Sequence, residues 1–279
     1  MRSYRIVGAA FAIGMGLSAA VDAQVLFFSR STSFEHSCIR ENDGEDSHVC
    51  KILVDLAADN GGTMDCTKDG GEINAENLSN YSLVIFVTQG DLTKSPSKAN
   101  HPPVTQEGLD ELLAWVKGGG AFMGFHCASD THRGPNGGPA TPYIDMVGAS
   151  FKGHGGQFEG TVRVVDKDHP TMANIPDGWK IKDEWYVFAN MNKENMHVLA
   201  LMDPGEERGK QPMYDIDPYP IAWCSKYGDG RVFYNAMGHR EDVWSTEIFQ
   251  KSIVDAALWC MGQTDEDAEP NYAEVMGDE

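Results

Sequence analysis

The chain predicts an α/β fold with a mainly parallel central sheet, and three features carry that expectation. Strand-like and helix-like patterns alternate through the first half, as βαβ units require. The strand candidates are continuous apolar runs, above all Tyr81–Thr88 and Ala121–Phe125, as in a sheet covered on both faces. The second of these runs stops abruptly on His126, Cys127, Ala128, Ser129 and Asp130. An open parallel sheet presents its ligands at such carboxyl ends.

The first segment stands apart from that pattern. Arg2 and Arg5 precede an apolar run from Ile6 to Ala20, and Val21-Asp22-Ala23 offers small residues for a signal peptidase. Residues 1–23 are therefore expected to be a cleaved signal peptide, with a mature chain that is secreted or periplasmic and free of the membrane. The main domain is expected over residues 24–262. The stretch 263–279 is rich in Asp and Glu and is expected to be a disordered acidic tail.

Gln24–Ser29 is a short apolar run read as the first strand, and it leads into a polar loop carrying His36. Asp46–Asp59 has helical spacing and ends at Gly61-Gly62; Thr63–Thr67 is an edge-strand candidate. Tyr81–Thr88 is followed by Gln89-Gly90-Asp91. Glu107–Lys117 is an amphipathic helix that Gly118-Gly119-Gly120 stops. After the loop Thr131–Thr141, Pro142–Val147 suits one or two helical turns. Gly148–Gly160 is glycine-dense around His154 and reads as backbone near a ligand or as a mobile loop. Thr161–Val165 alternates like a strand. His169, in a turn, reads as structural. Asp183–Phe188 is β-like, and Met196–Met202 is a strand. Pro220–Cys224 and Arg231–Met237 flank an Asp229-Gly230 hairpin signal, and the second strand ends at Gly238-His239. Val243–Met261 reads as one long closing helix.

The formal net charge of −20 repels nucleic acid and anionic lipid, so neither is an expected partner. Six cysteines without a Cys-x-x-Cys pair argue against a thiolate zinc site or attached haem. In an oxidising compartment Cys38, Cys50 and Cys66 are the disulfide candidates, with the pairing open. Cys127, Cys224 and Cys260 read as buried thiols.

His36, His126, His154 and His239 lie at element ends or in the glycine-rich loop, with Glu184 as a further member. If they converge, they make a metal site or an acid–base pair. His126, Glu184, His239 and His154 are the catalytic candidates. A divalent metal such as zinc, held by His126, His154 and His239, is the alternative to metal-free proton transfer. Asp183-Glu184-Trp185-Tyr186 sets carboxylates beside aromatic rings, a pattern suited to a carbohydrate surface. Asp183, Trp185, Tyr186, His36 and Asp130 are accordingly the substrate-binding candidates.

Several motifs occur in one order: Ser29 to His36, Gly118 to His126, Gly148 to His154, Asp168-His169-Pro170, Asp183 to Tyr186, and Gly228 to His239. Together they resemble the trehalose-utilisation (ThuA-like) family. The resemblance implies a three-layer α/β sandwich, flavodoxin-like and similar to the class I glutamine amidotransferases. In those enzymes a nucleophilic cysteine follows the central strand; here Gly124-Phe125 is followed by His126, and Cys127 comes one position late. His239, with Glu241 two residues on, corresponds to their late histidine. Glutaminase activity is therefore not expected. By resemblance, the chain acts on an oxidised (3-keto) glycoside or sugar as an isomerase, lyase or hydrolase. The competing expectations are a non-catalytic carbohydrate-binding protein and a zinc-dependent amide or ester hydrolase.

Overall fold

The computed structural model describes residues 2–4, 23–42, 44–95, 101–134, 138–264 and 268–277. In chain order the strands are β1 (Arg2–Tyr4), β2 (Gln24–Phe28), β3 (Thr63–Thr67), β4 (Leu83–Phe86), β5 (Ala121–Phe125), β6 (Ser150–His154), β7 (Phe158–Val164), β8 (Trp179–Asp183), β9 (Tyr186–Ala189), β10 (His197–Asp203), β11 (Tyr219–Tyr227) and β12 (Gly230–Asn235). The helices are α1 (His48–Asp59), α2 (Ala75–Leu78), α3 (Gln106–Lys117), α4 (Pro142–Val147), α5 (Glu241–Trp244), α6 (Glu247–Cys260) and α7 (Tyr272–Met276).

One sheet runs β1-β3-β2-β4-β5-β12-β11-β10-β7-β8, and β6 pairs separately with β9. Its core, from β3 to β12, is parallel. Beyond β12 every pairing is antiparallel, as is the β1–β3 edge. The parallel strands are buried along nearly their whole length. Apolar side chains on both faces need cover, and the helices supply it in two groups, α1-α5-α6 and α2-α3-α4, each packed within itself. That is the three-layer sandwich.

Local chemistry sets the element ends. Ser47, Thr105 and Thr246 accept hydrogen bonds from the backbone N–H groups of Cys50, Gly108 and Phe249, capping α1, α3 and α6. The Thr246 cap also explains why Val243–Met261 is not one helix. The chain turns at Ser245-Thr246 and starts again, which frees Trp244 to donate from Nε1 to the Gly238 carbonyl at 2.8 Å.

From β2 the chain steps outward to β3, then crosses back to β4 and β5. The reversal beside β2 is a topological switch point, with a crevice over the carboxyl ends of the strands. The segments after β2, β5 and β12 all emerge there.

Three further expectations change. The glycine-dense run around His154 is not a loop: Ser150–His154 is a strand paired with Tyr186–Ala189. The stretch from Asp183 to Phe188 is not one strand. It leaves the main sheet after β8 and joins the small sheet at β9, so Glu184 and Trp185 span the crossover. The tail is not disordered over residues 268–277. Asn271 exchanges side-chain hydrogen bonds with the backbone N–H and carbonyl of Val198, at 2.6 and 3.1 Å, and α7 follows. The signal peptide expected over residues 1–23 lies outside the described residues except for β1, described as backbone, and Ala23.

Of the disulfide candidates, Cys50 and Cys66 pair, tying α1 to β3. Cys38, Cys127, Cys224 and Cys260 are buried thiols.

Candidate functional site: a histidine and glutamate cluster at the strand ends

His126 sits where β5 ends, fully buried, with φ of +42°. A non-glycine residue with positive φ is strained and needs its surroundings to hold it. Two contacts do so. Tyr234 Oη donates to the His126 carbonyl at 2.6 Å, and the ring Nδ1–H donates to the Ala236 carbonyl at 2.9 Å. Because a carbonyl can only accept, Nδ1 carries the proton and Nε2 of the neutral ring is a lone pair.

That lone pair faces Glu184 Oε2 at 3.5 Å and His239 Nδ1 at 3.3 Å, and His239 Nδ1 lies 3.0 Å from Glu184 Oε2. His36 closes the group, its ring 4.9 Å from that of His126 and 5.0 Å from that of His239. One donor atom from each of His36, His126, Glu184 and His239 falls within 4.8 Å of the others.

The backbone that places them is bound together. Asp183, fully buried, accepts from the Gly238 N–H at 2.7 Å and from the Glu184 N–H at 2.9 Å. It thus fixes the approach of β8 to the His239 turn. Gly238 has φ of +114°, and a Cβ there would lie 3.0 Å from the Trp244 ring. Only glycine suits both demands.

The electrostatics follow from burial and mutual contact. Burial pushes the His36 imidazolium down to about 2, and the nearby His126 and His239 push the same way. His36 is therefore a neutral ring. Burial alone would raise the Glu184 carboxyl, but its close contacts with His126 and His239 hold it well below the carboxylate range. His239 moves the other way: burial would lower it, and Glu184 raises it. Asp183 is raised by burial against the pull of His126 and its two backbone donors.

This donor set fits a divalent cation. Tetrahedral ligation by nitrogen and oxygen at 2.0–2.2 Å puts ligand atoms about 3.4 Å apart, and the three separations among His126, Glu184 and His239 are 3.0–3.5 Å. His36 Nδ1 is buried without a hydrogen-bond partner, as a vacant ligand nitrogen would be. The Ala236 carbonyl orients His126 in the way outer partners orient metal-bound imidazoles.

His154 lies just outside the set. Its Nδ1–H donates to the Gly155 carbonyl at 2.8 Å and faces Glu184 Oε1 at 3.3 Å, and the residue is exposed. The group whose donor atoms could share one ion is therefore His36, His126, Glu184 and His239, and of the expected triad of His126, His154 and His239 it contains His126 and His239. Of the expected substrate surface, Trp185 is fully buried and donates to the Phe158 carbonyl at 3.1 Å. Asp183 is also buried, and both serve the framework. Tyr186 is buried with its ring 4.1 Å from that of His126. Asp130 accepts from Gln89 Nε2 at 2.5 Å and pairs with Arg133.

Phe34 stands edge-on to His36 and Phe151 beside His154, while Gln89 and Arg133 pair with Asp130; none of these four is a candidate from the sequence. Gln89-Gly90-Asp91 follows a strand, which was the available signal for Gln89; the other three carry none.

Residues 24–260 match the ThuA family, described as trehalose utilisation. No curated protein matches the chain. Among solved structures, a ThuA-like protein from Bacteroides uniformis ATCC 8492 is similar at 19% identity and a TM-score of 0.64, over 93% of this chain and 99% of that one. Another, from Parabacteroides merdae ATCC 43184, is 16% identical with a TM-score of 0.62, over 88% and 92%. A carbohydrate deacetylase is 12% identical with a TM-score of 0.52, the match covering 86% of this chain and 32% of that one. At these identities the likeness is one of fold.

Proposed function

We propose that this chain, which belongs to the ThuA family of trehalose utilisation, acts on an oxidised (3-keto) glycoside or sugar by proton transfer, as an isomerase, lyase or hydrolase. The observation that carries the reading is the convergence of His36, His126, Glu184 and His239 over the strand ends. In it those four residues hold a divalent metal such as zinc. When bound there, the ion supplies Lewis acidity toward a sugar carbonyl.

The remaining chemistry belongs to side chains. A 3-keto group acidifies the neighbouring C–H, so the reaction needs a base beside the carbonyl. Glu184, held ionised far below its usual range, is a better ligand and anchor than base. Its Oε1 and the Gly155 carbonyl fix the proton of His154 on Nδ1. That leaves His154 Nε2 as the proton acceptor, on a residue open to solvent. The buried His126 and His36 exclude water from behind the reacting atoms.

The test is turnover of 3-keto-glycosides with metal content measured in parallel. His126→Ala should lose bound metal and turnover together, and His154→Ala should lose turnover but keep metal. Undiminished turnover in His126→Ala would refute the reading. The same donor set favours a second reading, metal-dependent hydrolysis of an amide or ester, which acetylated sugars would reveal. The non-catalytic binding reading would be favoured by sugar binding without turnover, and the burial of Trp185 removes that ring from its contact surface.

The proposal places the mature chain outside the cytoplasm. The Cys50–Cys66 disulfide suits an oxidising compartment, and the residues 1–23 read as a leader. No helix among the described residues is long and apolar enough to cross a membrane. Export predicts a mature protein that begins at Gln24 on N-terminal sequencing.

A further inference from the structure

We infer that the mouth of the cluster is a subsite for one uncharged sugar ring, with Phe34 as the face on which that ring lies. The inference rests on the carbohydrate reading above and names the group that recognises the substrate.

Among the described residues, Phe34 is the large apolar side chain left exposed, at 56%. A single exposed apolar residue is ordinary; its setting here is not. The ring stands edge-on to His36 with centroids 4.9 Å apart, one ring removed from the cluster. Its backbone is also held in place. The Phe34 N–H donates to Gln89 Oε1 at 2.9 Å, and Ser33 Oγ donates to the same oxygen. Gln89 is buried, and its Nε2 is bound in turn by Asp130. A buried polar chain thus presents an aromatic face to solvent beside the candidate ligands.

The same chain of contacts leads on to a second aromatic ring. Asp130 pairs with Arg133, whose guanidinium lies 5.4 Å from the centre of the Phe151 ring. Phe151 neighbours His154, at 5.9 Å between centroids. Apolar faces beside polar, hydrogen-bonding groups are the lining a sugar needs, since its C–H face is apolar and its rim hydroxylated.

Charge selects among sugars. A phosphate or carboxylate would need an unpaired cation. Arg133 is paired with Asp130, and Arg240 with Asp242 at 2.6 Å and Gln157 at 2.8 Å. Glu184, as a ligand, would offset half the charge of a divalent ion held beneath. The subsite therefore favours a neutral ring over a sugar phosphate or uronate.

The experiment is calorimetric or saturation-transfer NMR titration of the native protein with trehalose, an uncharged probe, and with glucose 6-phosphate. Trehalose is expected to bind. Phe34→Ala should weaken it about tenfold with an unchanged melt, and Phe34→Tyr should stay within about twofold of native, because the ring face is restored. Glucose 6-phosphate should bind more weakly than trehalose. Equal binding by Phe34→Ala, no trehalose binding by the native protein, or a preference for the phosphate would each overturn the inference. Turnover by His154→Ala separates the two proposals. Lost turnover there with normal binding in Phe34→Ala sinks the subsite alone; retained turnover there with weakened binding in Phe34→Ala sinks the proton-transfer reading alone.

Discussion

Asp183→Asn should loosen the cluster while leaving the fold standing. The carboxylate takes two N–H donors, Gly238 at 2.7 Å and Glu184 at 2.9 Å, in a fully buried position. An amide can accept one of them but turns an N–H group toward the other. A hydrogen bond to a charged group contributes about 1.5–3 kcal/mol. Loss of the Gly238 contact frees the turn that carries His239, and such a loss converts to about a 10–100-fold drop in metal affinity. Overall stability should move by only about 1 kcal/mol, because the amide also removes a charge whose burial is costly. Burial does raise the Asp183 carboxyl, in keeping with that cost. Competition with a chromophoric chelator measures the affinity, and a thermal melt measures the stability. Native zinc affinity in Asp183→Asn, combined with loss of sugar binding, would refute the reasoning and return Asp183 to the substrate surface.

Three further outcomes follow from other parts of the molecule. Gly238→Ala forces a side chain into φ of +114° against Trp244; it should cost about 2–4 kcal/mol, read as a melting temperature lower by roughly 4–12 °C and as weaker metal binding. His132 is buried, and burial lowers its imidazolium to about 4 against the pull of Asp91. The unfolded chain therefore binds the extra proton first as pH falls, and stability should rise with pH between about 4 and 6.5, by at most about 3 kcal/mol. His132→Asn, which tolerates the φ of +47° there, should flatten that slope in pH-dependent denaturant titrations. Reducing the Cys50–Cys66 bond opens a loop with a sequence separation of 16 and should cost about 3 kcal/mol, seen as a shifted denaturation midpoint; an unshifted midpoint would show that helix packing alone fixes α1 to β3.

Much of the fold was legible along the chain because its signals are local. Ala121–Phe125 and Pro142–Val147 form as their apolar run and N-terminal proline indicate. The hairpin around Asp229-Gly230 also follows its turn residues. His126 and His239 were recoverable because each directly follows a buried strand of one parallel sheet, whose ends point one way. The errors fell where distant contacts outvote local pattern. Trp185 and Asp183 look like a surface next to Tyr186, yet the crossover between two sheets turns both inward. The glycines around His154 read as backbone near a ligand or as a mobile loop, and the strand there becomes visible only when Tyr186–Ala189 pairs with it. The acidic tail reads as disordered until Asn271 meets the backbone of Val198.

The sequence by itself determined most of the strands and helices, the parallel core, and the histidines at the strand ends. Tertiary structure decided which four side chains share one point in space, that His36 rather than His154 joins the buried set, and that Phe34 stands at its mouth. The reason is physical: hydrophobic period and capping act within a few residues. A coordination geometry depends on distances between groups up to 203 positions apart, from His36 to His239, and only the packed sheet fixes those.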